Sequence, residues 1–177
     1  MVKITIFGLA GTGKTTAGKM LAEKLGYEYM SSGSIFRSYA EKLGMTLNQF
    51  EELANSNDEY DKKLDTEVAI YGKKNNGFVF ESRLAWHFIP DSFKVSLICP
   101  LEERISRIAH REGKSFDKVF DETLHREELI TKRYKNYYDI DNFADAKNFD
   151  FVVDTGPNNA EKVVEIILEE LKNRHLI

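Results

Sequence analysis

Residues 8–15 read Gly-Leu-Ala-Gly-Thr-Gly-Lys-Thr. This stretch satisfies the pattern G-x-x-x-x-G-K-[ST], in which a glycine-rich turn joins a strand to a helix. The flanking sequence has the required character, because the apolar run Val2–Phe7 precedes the turn and the helix-forming run Lys14–Leu25 follows it. The stretch therefore predicts a parallel α/β fold with a phosphate-binding loop after its first strand.

The residue types in this loop suit the binding of nucleotide phosphates. Glycines let the chain wind so that backbone N–H groups point at phosphate oxygens, and the following helix N-terminus adds positive potential. Lys14 is expected to neutralise charge at the β- and γ-phosphates, and the Thr15 hydroxyl to ligate Mg²⁺. The predicted donor-binding residues are Gly8, Leu9, Ala10, Gly11, Thr12, Gly13, Lys14, Thr15 and Thr16.

The composition indicates one ordinary globular domain. A chain of 177 residues has room for a single hydrophobic core, and 42 % hydrophobic with 31 % charged residues is a typical balance. A net charge of −4 argues against nucleic-acid binding. The first apolar run is too short for a membrane span or a signal peptide, and Cys99 alone closes no disulfide. We expect a cytoplasmic protein with Cys99 buried.

Five short apolar runs separated by helical patterns predict the rest of the fold. The predicted strands are Val2–Phe7, Tyr27–Met30, Phe78–Phe80, Lys94–Ile98 and Phe149–Val153. The predicted helical regions are Lys14–Leu25, Ile35 to about Lys74, Pro100–Arg111, Ser115–Asp139 and Ala160–Asn173. Continuous apolar runs suit strands covered by helices on both faces. The alternation predicts an α/β three-layer sandwich around a five-stranded parallel sheet.

Helix-start signals refine this prediction at two places. The run Thr46-Leu47-Asn48-Gln49 has the spacing of a capping box, and Asn158 with Glu161 marks a start for the last helix. Both signals place helices after loops, as the alternation of strands and helices requires.

The arginines are unevenly distributed along the chain. Only eight of the 25 basic residues are arginines, and seven of them lie between positions 37 and 133. Arginine is suited to forked contact with phosphate. Arg104, Arg107 and Arg111 are spaced i, i+3, i+7 and share one face of a predicted helix, for which a solvated basic surface is the alternative.

The class of phosphate-binding protein can be narrowed further. A GTPase would carry an Asn-Lys-x-Asp tetrapeptide, which this sequence lacks, and larger ATPases need a longer chain. The early position of the loop and the small size favour a small-molecule kinase.

Several later segments resemble a known family. Residues 31–37, Ser-Ser-Gly-Ser-Ile-Phe-Arg, resemble the segment with which nucleoside monophosphate kinases hold the acceptor nucleotide. Residues 81–85, Glu-Ser-Arg-Leu-Ala, resemble the Ser-Arg-Leu-Ala motif of archaeal-type cytidylate kinases. Residues 104–113 and 125–141 resemble the lid and base-binding region of that family. Trp86 directly follows Ala85, whereas the family has a glycine before the tryptophan. The resemblance therefore does not define the floor of the acceptor pocket.

The resemblance implies a P-loop kinase with three parts. The core is residues 1–32, 77–100 and 148–177, the acceptor-binding segment is residues 33–76, and the lid and base-binding segment is residues 101–147. The implied reaction transfers the γ-phosphate of ATP to CMP or dCMP with Mg²⁺, in a monomer. The alternatives are an adenylate kinase, another small-acceptor kinase, or a nucleotide-dependent assembly protein with this fold.

The resemblance also implies roles for individual residues. Lys14, Arg107 and Arg111 are the expected catalytic residues, and Thr15 and Glu81 the expected metal ligands, with an ion pair to Arg83 as the alternative for Glu81. The expected acceptor-binding residues are Ser32, Ser34, Arg37, Arg83, Arg126, Glu127 and Arg133. Asp61 and Asp65 are candidates for the sugar.

Cytosine recognition calls for a hydrogen-bond donor beside an acceptor. Arg126 and Glu127 supply that pair in chemical type, although adjacent residues diverge on a helix.

Overall fold

The computed structural model describes residues 1–177, except for the side chains at positions 47, 48, 51 and 55. Within this part of the chain, five parallel strands form one sheet in the order β2-β3-β1-β4-β5. The strands are β1 Lys3–Gly8, β2 Glu28–Ser31, β3 Phe78–Glu81, β4 Phe93–Ile98 and β5 Phe151–Asp154. The prediction of a five-stranded parallel sheet is confirmed.

Helices connect the strands and cover both faces of the sheet. They are α1 Lys14–Leu25, α2 Ser32–Lys42, α3 Leu47–Ser56, α4 Glu59–Lys74, α5 Ala85–Phe88, α6 Leu101–Glu112, α7 Phe116–Tyr138 and α8 Ala160–Asn173, with a 3₁₀ turn at Ala146–Asn148. None of the described helices is long and apolar enough to cross a membrane.

Two layers of side chains bury the sheet. On one face, α1 and α8 contribute residues such as Leu21 and Ile167 to a core with Ile6 and Val95. On the other face, α4 and α5 pack over Phe78 and Phe80, and α7 packs over Phe7. Because all strands are parallel, their carboxyl ends meet at one edge, where the loops can share a ligand.

The helix-start predictions have different outcomes. Thr46 and Gln49 form the expected capping box at the start of α3. Helix α8 has the predicted bounds, but its capping residue is Asn159 rather than Asn158: the Asn159 side chain accepts from the backbone N–H of Lys162 at 2.9 Å. The Asn158 side chain instead donates to the carbonyl of Asp154 at 2.9 Å, which anchors the preceding turn.

The expected burial of Cys99 was wrong. Its side chain is only half-buried. Strand β4 ends at Ile98, itself 48 % exposed, and the chain turns outward there toward α6.

Candidate active site

The glycine-rich loop has the compact form that its sequence predicts. It joins the end of β1 at Gly8 to the start of α1 at Lys14, and the buried Thr12 side chain donates to the carbonyl of Leu9 at 2.9 Å. Gly11 has a φ of 84°, and a Cβ there would lie 2.6 Å from the backbone oxygen of Arg104. Only glycine fits this conformation and this close approach.

Arg104 supports the loop from behind. It is 5 % exposed, and its Nη1 donates to the carbonyl of Ala10 at 3.1 Å and to Oε1 of Glu127 at 2.7 Å. One guanidinium thus joins the phosphate loop, α6 and α7. In this conformation the Glu127 carboxylate, expected at the acceptor base, is engaged by Arg104.

Lys14 lies in a strongly cationic environment. The pKa of Lys14 is lowered to about 8, first by burial and next by the charge of Arg83. The charges of Arg126 and Arg111 also lower this pKa, whereas the charge of Glu81 raises it. Three arginines from separate parts of the sequence therefore converge on the phosphate-loop lysine. Such a concentration of positive charge suits the oxygens of two phosphorylated substrates.

Glu81 ends β3 and pairs with Lys14. The distance from Lys14 Nζ to Glu81 Oε1 is 3.7 Å, and the Glu81 side chain is 7 % exposed. Among the described residues the carboxylate is in ion-pair distance of Lys14 and not of Arg83. The Tyr29 hydroxyl donates to the other carboxylate oxygen. Tyr29 belongs to no motif, and no local pattern in the sequence singles it out.

Arg107 faces the turn after β5. Its Nη2 donates to the carbonyl of Thr155 at 2.7 Å, and the Thr155 hydroxyl donates to the carbonyl of Thr12 at 2.9 Å. A cavity of about 180 Å³ lies here, lined by Gly13, Thr16, Arg107, Thr155, Asn158 and Val163 among others. Arg111, one turn further along α6, is exposed and pairs with Glu112 at 3.1 Å.

The predicted acceptor serines and Arg37 lie together at the start of α2. The Ser34 hydroxyl donates to the carbonyl of Ser31 at 2.7 Å, and Arg37 is exposed beside Gly33. The Ser32 hydroxyl is buried and has no hydrogen-bond partner among the described residues. These groups are polar and close to the end of β2, at the same sheet edge as Glu81, which pairs in register with Ser31.

A second ionic cluster joins α4 to α7. Arg133 Nε lies 3.1 Å from Asp61 Oδ2, and the two side chains are only 10 % and 9 % exposed. One turn along α4, Asp65 accepts a hydrogen bond from the Tyr138 hydroxyl. Burial raises the pKa of Asp65 to about 7, and the charge of Asp61 adds to this, whereas Tyr138 and Arg133 oppose it.

The raised pKa of Asp65 predicts a pH-dependent stability difference. The ordinary pKa of 3.8 applies to the unfolded chain and about 7 to the native one, so the native protein binds more protons between these values. The free energy of unfolding then falls with rising pH in this window, by at most about 1.4 kcal/mol per pH unit. Asp65→Asn cannot titrate at this position, so its free energy of unfolding lacks this decrease. We expect the free energy of unfolding of the variant, relative to the wild type, to rise from pH 4 to pH 7 and then to stay constant.

Urea denaturation of both proteins from pH 4 to pH 8 measures the difference, in which other titrating groups cancel. A stability difference that does not change with pH would contradict the prediction.

The chain is similar to known proteins over nearly its whole length. Residues 3–157 match the model of the cytidylate kinase-like family. The chain is 41 % identical to a cytidylate kinase of Methanobrevibacter smithii, over 96 % of this chain and 98 % of that protein. It is also 41 % identical to a cytidylate kinase of Archaeoglobus fulgidus, over 97 % of this chain and 95 % of that protein.

Solved structures agree on the fold. A shikimate kinase from Bacteroides thetaiotaomicron superposes with a TM-score of 0.62 at 19 % identity, covering 97 % of this chain and 98 % of that one. A gluconokinase from Sinorhizobium meliloti gives 0.63 at 15 % identity, covering 97 % and 92 %. The fold is therefore that of small P-loop kinases. With the family model and the archaeal relatives matching nearly end to end, the resemblance is confirmed, and the chain belongs to the cytidylate kinase-like family.

Proposed function

We propose that this phosphotransferase transfers the γ-phosphate of ATP to CMP or dCMP, forming ADP and CDP or dCDP. The observation that carries the proposal is that the charges of Arg83, Arg126 and Arg111 all act on Lys14, whose pKa is lowered first by burial and then by these charges. A site for one nucleotide needs the phosphate loop, whereas three further arginines suit a second phosphorylated substrate opposite it. The matched archaeal relatives are cytidylate kinases, which supports CMP as that substrate.

The donor nucleotide is assigned to the loop and to the cavity beside it. Backbone N–H groups of residues 8–16 and the Lys14 ammonium hold its phosphates. The cavity lined by Arg107, Thr155 and Asn158 lies on the α8 side of the loop, which suits the nucleoside part of the donor. Arg107, expected at the transferring phosphate, lines this cavity beside Thr155 and would contact the donor nucleotide there.

Two oxygen groups at the carboxyl edge of the sheet are suited to bind magnesium. The Thr15 hydroxyl and the Glu81 carboxylate both lie near the Tyr29 hydroxyl and influence its pKa, and oxygen donors are what Mg²⁺ prefers. The described residues contain no group of three His, Cys, Asp or Glu side chains fit to hold an ion, and in this proposal the nucleotide phosphates complete the coordination. When bound, Mg²⁺ supplies positive charge at the β- and γ-phosphates.

The acceptor phosphate is assigned to Arg37 and Arg83, with Ser32 and Ser34 beside them. Arg83 follows β3 and Arg37 follows the start of α2, so both extend from the carboxyl edge of the sheet. The buried Ser32 hydroxyl offers a hydrogen bond that the protein itself leaves unmade. An acceptor phosphate held here attacks the γ-phosphorus directly, because its own oxygen is the nucleophile and no protein base is needed.

The lid arginines complete the charge balance. The charges of Arg111 in α6 and Arg126 in α7 both act on Lys14, and Arg111 is exposed and pairs with Glu112. We assign residues 33–76 to an acceptor-binding segment and residues 101–147 to a lid. Closure of the two segments over a monomeric core would exclude water from the transferring phosphoryl group. The site is proposed to work on free nucleotides in the cytoplasm.

The base of the acceptor is assigned to the pair formed by Asp61 and Arg133. Cytosine presents acceptors at O2 and N3 and a donor at N4, which a guanidinium beside a carboxylate complements. Glu127 is engaged by Arg104, whereas the charge of Arg126 acts on Lys14, so the proposal does not place the two neighbours together at the base. Asp61 and Arg133 instead lie together between α4 and α7.

A coupled assay of ADP formation tests the function. Mg·ATP is offered with CMP, dCMP, UMP, AMP or GMP, and we expect strong stimulation by CMP or dCMP. Preference for AMP would contradict the base assignment and indicate an adenylate kinase. Slow ATP hydrolysis whose rate is the same with and without each monophosphate would contradict the kinase proposal and favour a nucleotide-dependent assembly protein.

The base assignment predicts a change in specificity. Asp61→Asn replaces an obligate acceptor by an amide that presents either a donor or an acceptor. We expect kcat/KM for CMP to fall and the ratio of UMP to CMP activity to rise by about tenfold, the size of one lost charged hydrogen bond. The assay with both acceptors measures this ratio.

Glu127→Gln is the matched control for this variant. We expect it to change the activity with CMP and UMP by the same factor, because its partner Arg104 supports the phosphate loop. An Asp61→Asn variant that loses both activities equally would limit the Asp61–Arg133 pair to a structural role.

A further inference from the structure

The two carboxylate oxygens of Glu81 contact different neighbours, Tyr29 and Lys14. Tyr29 lies in β2, where its strand pairs with β3. Its hydroxyl donates to Oε2 of Glu81, while Lys14 Nζ stands 3.7 Å from Oε1, beyond hydrogen-bond distance. The buried carboxylate therefore makes its hydrogen bond to a neutral hydroxyl and only a loose ion pair to the ammonium.

The position of the Tyr29 ring is fixed by its packing. A Cβ on Gly18 of α1 would lie 3.0 Å from Cε2 of Tyr29, so the ring rests against the helix backbone itself. Lys19 Nζ lies 5.8 Å from the ring centroid on the same helix. Burial and, next, the hydrogen bond to Glu81 both raise the pKa of Tyr29. The hydroxyl therefore remains protonated and a donor at neutral pH.

A carboxylate without this constraint would compete with the nucleotide. Buried and next to an ammonium, Glu81 would form a charge-assisted hydrogen bond with Lys14, which is about twice as strong as a neutral one. Glu81 would then take one of the three N–H groups of Lys14 and part of its charge, so the donor phosphates would meet a partly neutralised ammonium.

We infer that Tyr29 is a positioning residue whose hydroxyl holds the Glu81 carboxylate away from Lys14, which keeps the ammonium available to the donor phosphates. The inference rests on the proposed function only for the assignment of ATP to the phosphate loop. It adds a role for a residue outside the glycine-rich motif, and it makes the effect of Tyr29 depend on the charge of Glu81.

A double-mutant cycle on the full-length protein tests this dependence. Titration calorimetry with ATP in EDTA measures donor affinity without metal and without turnover. Tyr29→Phe retains the ring against Gly18, and we expect it to weaken ATP binding by about 5- to 20-fold. Glu81→Gln removes the competing charge, and in that background we expect Tyr29→Phe to have no effect on ATP affinity.

Tyr27→Phe is the matched control, because Tyr27 precedes the same strand and packs on the same core. We expect it to bind ATP as the wild type does. Equal weakening by Tyr29→Phe in both backgrounds would reduce Tyr29 to a packing residue and overturn the inference, as would unchanged affinity in the single variant. Failure of the wild type to bind ATP would contradict the proposed donor site instead.

Melting temperatures separate these effects from unfolding. If Tyr29→Phe is unstable, Glu81→Gln alone still tests the inference, since removing the competing charge must leave ATP binding in EDTA as tight as in the wild type or tighter. A large loss of affinity in that variant would show that Glu81 assists Lys14, and would overturn the inference.

Discussion

Lys14→Ala is expected to lower kcat/KM by about 100- to 1000-fold, the cost of removing one preorganised charge from a transition state. The charges of Arg83, Arg126 and Arg111 act on Lys14, which is the lysine of the phosphate-loop motif itself. Its removal leaves the transferring phosphoryl group without its central counter-charge. The coupled assay with Mg·ATP and CMP, each varied in turn, measures the loss.

Lys24→Ala is the matched control for this prediction. Lys24 lies in the last turn of the same helix and is exposed, so its removal should leave kcat/KM within about twofold. A Lys14→Ala variant that retains a third or more of wild-type activity would contradict the assignment of the loop.

Arg83→Ala is expected to separate the two substrates. Arg83 follows β3 at the edge of the sheet, and we expect its loss to raise KM for CMP by about 10- to 100-fold, as for charged hydrogen bonds of about 1.5–3 kcal/mol. The dissociation constant of ATP should change by less than about threefold, because the donor phosphates are held by the loop. Steady-state kinetics gives the first value and titration calorimetry the second.

Arg174→Ala serves as the control here, since Arg174 follows α8 and pairs with Glu170 on the helix surface. It should leave both constants unchanged. An Arg83→Ala variant with an unchanged response to CMP would remove Arg83 from the acceptor site.

The fold followed from local patterns because its strands are continuous and its helices carry clear end signals. Helices α1 and α8 have the predicted bounds. Strand ends differ by one or two residues, because pairing with the neighbouring strand includes polar residues such as Ser31 and Glu81 that end an apolar run. The helix Ala85–Phe88 has no signal in the local pattern, since four residues show no period.

The site was predictable where one segment builds it and not where distant segments meet. The phosphate loop is local in sequence, so its motif is informative. The predicted common face of Arg104, Arg107 and Arg111 gives no account of their different partners, because the first and last stand about 10 Å apart along the helix axis. Arg104 meets Ala10, and Arg107 meets Thr155. The pairing of Asp61 with Arg133 across 72 positions has no local signal either.

The contact between Arg104 and Ala10 has a consequence for the order of folding. The two residues are 94 positions apart, and contacts of such separation form after local ones, because loop closure costs entropy. We therefore expect the glycine-rich loop to take its final shape only after α6 has packed against it. A nascent chain that has emerged only as far as β4 carries the complete motif but not the support behind it, so ATP should stabilise the finished domain rather than guide its assembly.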